Sequence, residues 1–438
     1  MKKLIAAALL LCFLLTSCGS HTEPVPQPIK PDDFPKPAPS DGQDPEPEPD
    51  APQTPEPGDD QGDPPVPDAS PVPVSAEQLL AAMTLEEKVG QLFLIRPESL
   101  DPSLTPEQVH ETYLYGVTAL TDQMIETLKR YPAGGIVIFG KNLEDPAQLE
   151  TFRTALEAAS DIPLVFSVDE EGGKIARIAN SGLFDVQKVP PMEDIGATGD
   201  TSKAREAGAV IGGYLSGLGF QLDFAPDADI NTNPENRVIG NRAFGSDPRT
   251  VSDMVSAFLD GLHAAGVSGC IKHFPGHGDP SGDTHEGLVV LDKSWEELQA
   301  EELIPFIENF GKTDMVMVAH LTVPNVTDDG LPASLSRELI TGKLRGELGY
   351  DGLIVTDALA MGAIAAQYSS AEAALLTFTA GSDILLMPHD YREAFEAIAD
   401  AVRSGTVSEE RLNESVLRVL RWKERLGLPL TLSADRAG

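Results

Sequence analysis

The stretch richest in reactive side chains is KHFPGHGDPSGDTHEGL, which begins at Lys272 and carries three histidines. Its glycines and prolines exclude a regular helix, so we predict a loop that closes over a bound substrate. In an extended Asp-Thr-His segment, positions i and i+2 point to the same side. The Asp283 carboxylate can then orient the His285 imidazole and tune its proton affinity. This spacing predicts an acid/base dyad.

Two other interpretations of this loop stay open. His273, His277 and His285 could form a metal site together with the neighbouring carboxylates. The loop could also be a surface segment with incidental polar residues. The dyad is the interpretation that gives the Asp-x-His spacing a chemical role.

Asp357 is the second candidate for chemistry, within LIVTDALAMGAI. It follows three apolar positions and a threonine, a pattern typical of the end of a buried strand. A carboxylate at the mouth of a barrel can act as a nucleophile that forms a covalent glycosyl intermediate. The alternative is a structural aspartate that caps the following helix.

The elements that must position these residues alternate between short apolar runs and longer amphipathic stretches, the rhythm of βα units. We predict an α/β fold, a single (β/α)8 TIM-type barrel. A doubly wound open sheet is the alternative, but no glycine-rich phosphate loop follows the first strand. The predicted strands are QLFLI, GIVIF, PLVFSV, FQLDFAP, SGCIKHF, MVMVAHL, GLIVTDAL and DILLMP. The predicted helices are 147–158, 202–218, 250–265, 294–309, 336–348 and 371–380.

Several polar residues stand at the carboxyl ends of the predicted strands, where a barrel builds its active site. They are Asp169, Asp229, Lys272, His273, His320 and Asp357. We therefore expect one catalytic barrel to supply every group.

Five motifs together resemble the barrel domain of glycoside hydrolase family three. They are VDEEGGKIARI, FAPDADINTNP, VIGNRAFGSDP, KHFPGHG and TDALAMGAI, in the order of the family. The Asp283-Thr284-His285 segment resembles the dyad of the family's β-N-acetylglucosaminidase branch. Small departures lie beside the matched positions, such as Lys174 and Ala358.

The resemblance implies a retaining exo-β-N-acetylglucosaminidase that acts on terminal β-linked GlcNAc and needs no cofactor and no metal. It implies Asp357 as nucleophile, His285 as general acid/base and Asp283 as its partner. It also implies a clamp that binds the substrate: Asp169, Arg177, Arg242, Lys272 and His273. Glu171 could have a supporting role alone, as a buttress of Arg177 or Lys272. His320 could be a hydrogen-bonded residue of the wall. A β-glucosidase and an N-acetylglucosaminide phosphorylase of the same family remain alternatives.

Two further classes of function compete. A metal-dependent barrel hydrolase would place a His-x-His pair after the first strand, where this chain has QLFLIRPES. A sugar-binding lipoprotein without catalysis would keep Arg177, Arg242 and Lys272 but would not need Asp357 or His285.

The N-terminus, MKKLIAAALLLCFLLTSC, joins a lysine pair to an apolar run too short to span a bilayer as a mature helix. It predicts an export signal over 1–17. Its end resembles a lipobox, which implies that Cys18 is lipidated and anchors the protein through two acyl chains. An ordinary signal peptide cut nearby is the alternative.

Residues 18–74 are rich in Pro, Asp and Glu and cannot bury a core, which predicts an extended stalk or a disordered spacer. A catalytic domain over 75–430 and a tail over 431–438 complete the predicted organisation. The net charge of -37 argues against nucleic acid as a partner. Cys270, the cysteine left after the leader and the lipid site, has no disulfide partner, and we expect it in the core.

The predicted partners are therefore a GlcNAc-containing carbohydrate and, through the lipid, a membrane. We expect a monomer anchored to the outer face of the cell membrane, with muropeptides (GlcNAc-MurNAc fragments of peptidoglycan) as the natural substrate.

Overall fold

The structure is a computed structural model that describes residues 71–280, 282, 284, 287–433 and 436. The predicted leader, Cys18 and nearly all of the stalk lie outside these residues. Asp283 and His285 also lie outside them.

Eight parallel strands form one sheet. They are β1 Phe93–Ile95, β2 Gly135–Val137, β3 Val165–Val168, β4 Leu222–Asp223, β5 Ser268–Phe274, β6 Met315–Val318, β7 Leu353–Thr356 and β8 Leu385–Leu386. Their order in the sheet is β7-β6-β5-β4-β3-β2-β1-β8, and an isolated parallel bridge between Val355 and Ile384 closes it. All eight coincide with predicted strands. The predicted (β/α)8 barrel is confirmed, and an open doubly wound sheet is excluded by the closing bridge.

Helices cover the outside of the barrel. Asp145, Asp247 and Ser369 each precede a helix and accept a hydrogen bond from its third backbone amide, which supplies a partner for an otherwise unpaired N–H. The longer helices are Asp122–Arg130, Pro146–Ala158, Thr201–Gly217, Pro248–Ala264, Glu338–Glu347 (with π-type hydrogen bonds), Ser370–Ala380, Tyr391–Arg403 and Glu409–Arg425. The shorter ones are Ala76–Ala82, Leu85–Gly90, Pro106–His110, Met192–Gly196, Trp295–Ala300, Ile304–Asn309 and Gly362–Ala365.

The single helix predicted over 294–309 is wrong. The structure has two helices, Trp295–Ala300 and Ile304–Asn309. Pro305 occupies the first turn of the second helix, where its missing N–H costs nothing, whereas inside one continuous helix it would remove a hydrogen bond.

The core has two layers, as the period of two along β6 shows. Met315 and Met317 point into the barrel, whereas Val316 and Val318 pack under the surrounding helices. Cys270 lies in the inner layer, buried and unbonded to another cysteine, which confirms its predicted place in the core.

The helices that follow β3 and β4 pack closely through glycine. A Cβ on Gly208 would collide with the carbonyl oxygen of Phe258, and one on Gly261 would collide with that of Arg205. The close approach therefore depends on the absence of side chains at both positions.

A short antiparallel strand pair, Val72–Pro73 with Thr431–Leu432, joins the two ends of the described fold. Within that part of the chain, no helix combines the length and apolar character that a membrane crossing requires.

Candidate active site

A cavity of about 300 Å³ opens at the carboxyl ends of the strands, at the lower end of the range of roughly 300–1,000 Å³ for ligand sites. It brings together six residues predicted from the sequence: Asp169, Arg177, Arg242, Lys272, His273 and Asp357. Glu171, His277, Thr284, Phe139 and Tyr113 line the same cavity. One pocket thus contains both the predicted clamp and the predicted nucleophile.

Glu171 is the centre of the clamp. Its Oε1 lies 2.6 Å from Lys272 Nζ and 2.8 Å from Arg242 Nη2, and its Oε2 accepts a hydrogen bond of 2.8 Å from Arg242 Nε. Burial by itself would raise the pKa of this carboxyl, but the adjacent Arg242 and Lys272 charges outweigh burial and hold the pKa far below its usual range. The same attraction raises the pKa of both cations despite their burial. Glu171, Arg242 and Lys272 are therefore all charged at neutral pH.

A tight hairpin positions Glu171. Strand Glu170–Gly172 pairs antiparallel with Ile175–Ala176, and Gly172 and Gly173 at the turn adopt φ of 92° and 54°, a region that favours glycine. The EGG motif thus forms the turn beside Glu171, which lines the cavity.

Asp169 connects the clamp to Arg177. Its Oδ1 lies 3.1 Å from Lys272 Nζ, and its Oδ2 lies 3.7 Å from Arg177 Nη2. The Arg177 guanidinium also lies 5.2 Å from the centre of the Phe139 ring, within cation–π range. Glu170 fixes the loop that carries Arg177, because its carboxylate accepts hydrogen bonds from the next two backbone amides, those of Ile178 and Ala179.

His273 is held by Asp229, whose Oδ2 lies 2.7 Å from Nδ1 of the ring. Asp229 also accepts hydrogen bonds from the backbone amides of His273 and His277. Burial, together with the Arg242 charge, lowers the pKa of His273 to about 4. The partners assign the proton to Nδ1, which leaves Nε2 as an acceptor, 3.4 Å from Arg242 Nη2.

Asp227, Asp229 and His273 could each offer one atom to a metal ion, since these atoms lie within 4.8 Å of one another. Arg242 Nε lies 3.5 Å from Asp227 Oδ2, and the His273 N–H is donated to Asp229. Burial and the nearby Asp229 charge raise the pKa of Asp227 to about 7. The arrangement is a hydrogen-bonded and ion-paired support for His273 and Arg242.

Asp357 follows β7, on the opposite side of the mouth from Asp169, because β7 and β3 are four strands apart in an eight-stranded ring. Its amide donates to the Val318 carbonyl at 2.9 Å, which anchors the backbone to β6. The next helix, Gly362–Ala365, has Met361 at its N-cap, so Asp357 does not cap it. The structural alternative for this carboxylate is therefore wrong.

His320 supports the Asp357 segment from below. Its Nε2 lies 2.9 Å from the Ala358 carbonyl oxygen, and its Nδ1 lies 2.7 Å from Ser334 Oγ. This histidine is hydrogen-bonded, as the sequence suggested, but it is fully buried and is not among the residues that line the cavity. Glu171 does buttress Lys272, but its second partner is Arg242 rather than Arg177, which the motifs alone did not indicate.

Thr284 is the described residue between the two members of the predicted dyad. It is buried, lines the cavity, and its carbonyl accepts a hydrogen bond of 3.1 Å from the Ala363 amide. Its Oγ1 lies 3.5 Å from His277 Nε2. The roles of Asp283 and His285 stay predictions.

The fold and the site define a barrel of the glycoside hydrolase type, with a carboxylate that faces a charged clamp across the mouth. The chain belongs to glycosyl hydrolase family 3, since the model of the family's N-terminal domain matches residues 84–422. The family predicted from the five motifs is confirmed.

Three relatives extend this similarity. Beta-hexosaminidase A of Pseudoalteromonas piscicida is 35% identical over 340 residues, 71% of this chain and 56% of that protein. The beta-hexosaminidase of Xylella fastidiosa (strain 9a5c) is 33% identical over 328 residues, 73% of this chain and 93% of that protein. A solved glycoside hydrolase family 3 beta-N-acetylglucosaminidase from Paenibacillus sp. str. FPU-7 is 37% identical with a TM-score of 0.72, over 80% of this chain and 65% of that one. The chain thus spans little more than half of the first relative and nearly all of the second.

Proposed function

We propose that this protein is a retaining exo-β-N-acetylglucosaminidase that releases terminal β-linked GlcNAc. The observation that carries the proposal is the position of Asp357, which shares a cavity of about 300 Å³ with the clamp and lies across the mouth from Asp169. A cavity of this size suits one sugar ring. The names of the relatives, beta-hexosaminidase and beta-N-acetylglucosaminidase, support the acetamido sugar as the substrate.

In the first half-reaction, an Asp357 oxygen attacks the anomeric carbon, and the bond to the leaving oxygen breaks. The His285 imidazolium donates its proton to that oxygen. In the second half-reaction, neutral His285 accepts a proton from water, which attacks the anomeric carbon and releases Asp357. Asp283 orients the ring and stabilises its charged form. The position of Thr284 in the cavity supports the dyad, since Thr284 is covalently joined to both residues.

The clamp provides both donors and acceptors for the hydroxyls of the sugar. Lys272, Arg242 and Arg177 donate, whereas Asp169 and the Nε2 atom of His273 accept. Because Glu171 and Asp229 already hold these groups in place, little side-chain entropy is lost when the sugar binds.

The natural substrate in this proposal is a peptidoglycan fragment in which GlcNAc is β-linked to MurNAc. Residues 1–17 direct export, Cys18 carries the lipid, and 18–74 form a linker to the catalytic domain over 75–430. The protein acts as a monomer on the outer face of the membrane. The leader composition and the proline-rich linker support this arrangement.

The test compares release of aryl leaving groups from a β-N-acetylglucosaminide and a β-glucoside by a protein that begins at Pro71, which keeps the Val72–Pro73 strand. We expect the acetamido sugar to be the preferred substrate. Both Asp357→Ala and His285→Ala should lose nearly all activity, and azide should restore the activity of only His285→Ala, on a substrate with an activated leaving group. The controls are Asp253→Ala and His263→Ala, two residues on an outer helix that should keep full activity.

Other outcomes would redirect the assignment. A preference for the glucoside, or full activity of His285→Ala, would overturn the dyad and the substrate class. A glycosyl phosphate product with added phosphate would replace hydrolysis by phosphorolysis. Loss of activity on chelation, restored by a divalent metal, would favour the metal-dependent alternative.

A further inference from the structure

A second cavity, of about 430 Å³, adjoins the proposed sugar site. Tyr113, Phe139 and Arg177 line both cavities and form the boundary between them. The second cavity is built by the segments that follow β1, β2 and β3. It is more open than the first and reaches the surface, where the Tyr113 side chain is 81% exposed.

This second cavity is basic in a strongly acidic protein. It is lined by Lys141, Lys174 and Arg177, and none of the described residues that line it is acidic. The whole chain has 69 acidic and 32 basic residues, so an acid-free group of three cations is unusual here. The local excess of positive charge indicates a binding site for an anionic group.

Neither lysine makes an ion pair with a carboxylate among the residues that the structure describes. Lys174 Nζ donates to the carbonyls of Arg237 and Val238, at 3.2 and 3.5 Å. The exposed Lys141 has neither a hydrogen bond nor an ion pair from its ammonium group within that part of the chain. Arg177, by contrast, already faces Asp169. Lys141 and Lys174 are thus the charges available to a ligand.

The barrel topology determines which end of the substrate faces this cavity. With Asp357 as the nucleophile, the anomeric carbon lies near the end of β7. In a pyranose ring C4 is opposite C1, and C6 is attached beside it on C5. Since β3 is opposite β7 in the ring of eight strands, O4 and O6 point towards β3 and β2, where the second cavity begins.

We propose that the second cavity binds an anionic substituent on O6 of the non-reducing sugar, through Lys141 and Lys174. The preferred substrates would be sulfated or phosphorylated β-N-acetylglucosaminides. This inference rests on the proposed function, because it uses Asp357 to orient the ring. It adds a specificity site that the clamp does not provide.

The experiment measures kcat/KM for 4-methylumbelliferyl β-N-acetylglucosaminide and for its 6-O-sulfo and 6-O-phospho derivatives. We expect a gain of roughly fivefold for at least one derivative at low ionic strength, the upper size of an exposed charge pair. The gain should shrink as salt is added. It should reverse in Lys141→Glu and persist in Lys203→Glu, which makes the same charge change at an exposed lysine outside both cavities.

The failures of the two proposals are distinguishable. If the unmodified glycoside is cleaved but neither 6-O-anion improves kcat/KM, or if Lys141→Glu leaves the gain intact, the anion site is overturned and the glycosidase proposal stands. If an anion on the aryl leaving group raises kcat/KM and one on O6 does not, the assumed orientation of the sugar ring is wrong. If nothing is cleaved, the glycosidase proposal fails. Calorimetric titration with GlcNAc and GlcNAc 6-sulfate then decides the anion site, because equal affinities would overturn it.

Discussion

Replacing Glu171 by glutamine would remove the negative charge on which the clamp is built. The carboxylate is 2% exposed and makes three close contacts, with Lys272 Nζ at 2.6 Å and with Arg242 Nε and Nη2 at 2.8 Å. A glutamine amide can accept from one of these donors, but its own N–H₂ group would then face another donor. Two buried cations would lose their shared counterion.

The magnitude follows from the burial of all three groups. Removing one partner of a buried ion pair costs about 3–5 kcal/mol, because the remaining charge is left without compensation in a poorly solvated place. Asp169 still faces Lys272 and Asp227 still faces Arg242, so we expect the lower end, about 3 kcal/mol. Misplacement of the clamp should also lower kcat/KM by roughly 10²-fold.

Urea unfolding of wild type and Glu171→Gln measures the stability change, and hydrolysis of the aryl β-N-acetylglucosaminide measures the activity. The control is Glu126→Gln, which removes an exposed ion pair to Lys129 and should cost at most about 0.5 kcal/mol. The reasoning is refuted if both variants unfold at the same urea concentration as wild type, or if Glu171→Gln keeps its kcat/KM.

The same substitution should change the response to acid. The pKa of Glu171 is held below its ordinary value of 4.5, so its ionised form stabilises the fold fully above pH 4.5. That contribution is lost as the pH falls through the lower pKa of the folded state. Glu171→Gln should therefore lose less stability than wild type on acidification below pH 4.5.

Two further predictions concern packing and titration. Gly208→Ala should destabilise the fold by about 1–3 kcal/mol, because its Cβ would collide with the Phe258 carbonyl. Gly213→Ala on the same helix is the control, because its Cβ meets nothing within 4 Å and should stabilise the fold by up to about 1 kcal/mol. Equal urea midpoints of unfolding for the two variants would contradict this prediction. Burial lowers the pKa of His273 from 6.5 to about 4, so the unfolded chain takes up this proton first and stability falls as the pH drops from 6.5 to 4. NMR should show a neutral His273 ring at pH 5, and a titration centred near 6.5 would be inconsistent with the geometry.

The fold could be predicted from the sequence because most of its strands are short apolar runs that alternate with longer amphipathic stretches. β6 illustrates this, since MVMV is buried on both faces. The break between the two helices after β5 was not predicted, although Pro305 is a helix-breaking residue, because the amphipathic period continues across it. Helix limits depend on backbone hydrogen bonds, which a hydrophobic pattern describes only loosely.

The site could be predicted only as far as its residue types and motif order reach. Asp357 and the clamp residues follow from the motifs, but the pairing of Glu171 with Arg242 joins positions 71 residues apart, which the pairing of β3 with β4 brings together. The basic second cavity could not be predicted from the sequence for the same reason, since Lys141 and Lys174 follow different strands.

The basic second cavity matters because the chain as a whole is acidic. An excess of carboxylates repels an anionic substrate at long range, unless local cations reverse the potential where the substrate binds. The clamp cations contribute less to this reversal, because each of Lys272, Arg242 and Arg177 already faces the carboxylate of Glu171 or Asp169. Cations that make no ion pair attract an anionic group more strongly, and the described residues that line the second cavity supply them in Lys141 and Lys174. An anionic glycan would therefore enter over the β1–β3 side, and the effect of salt on kcat/KM should be largest for substrates charged at that end.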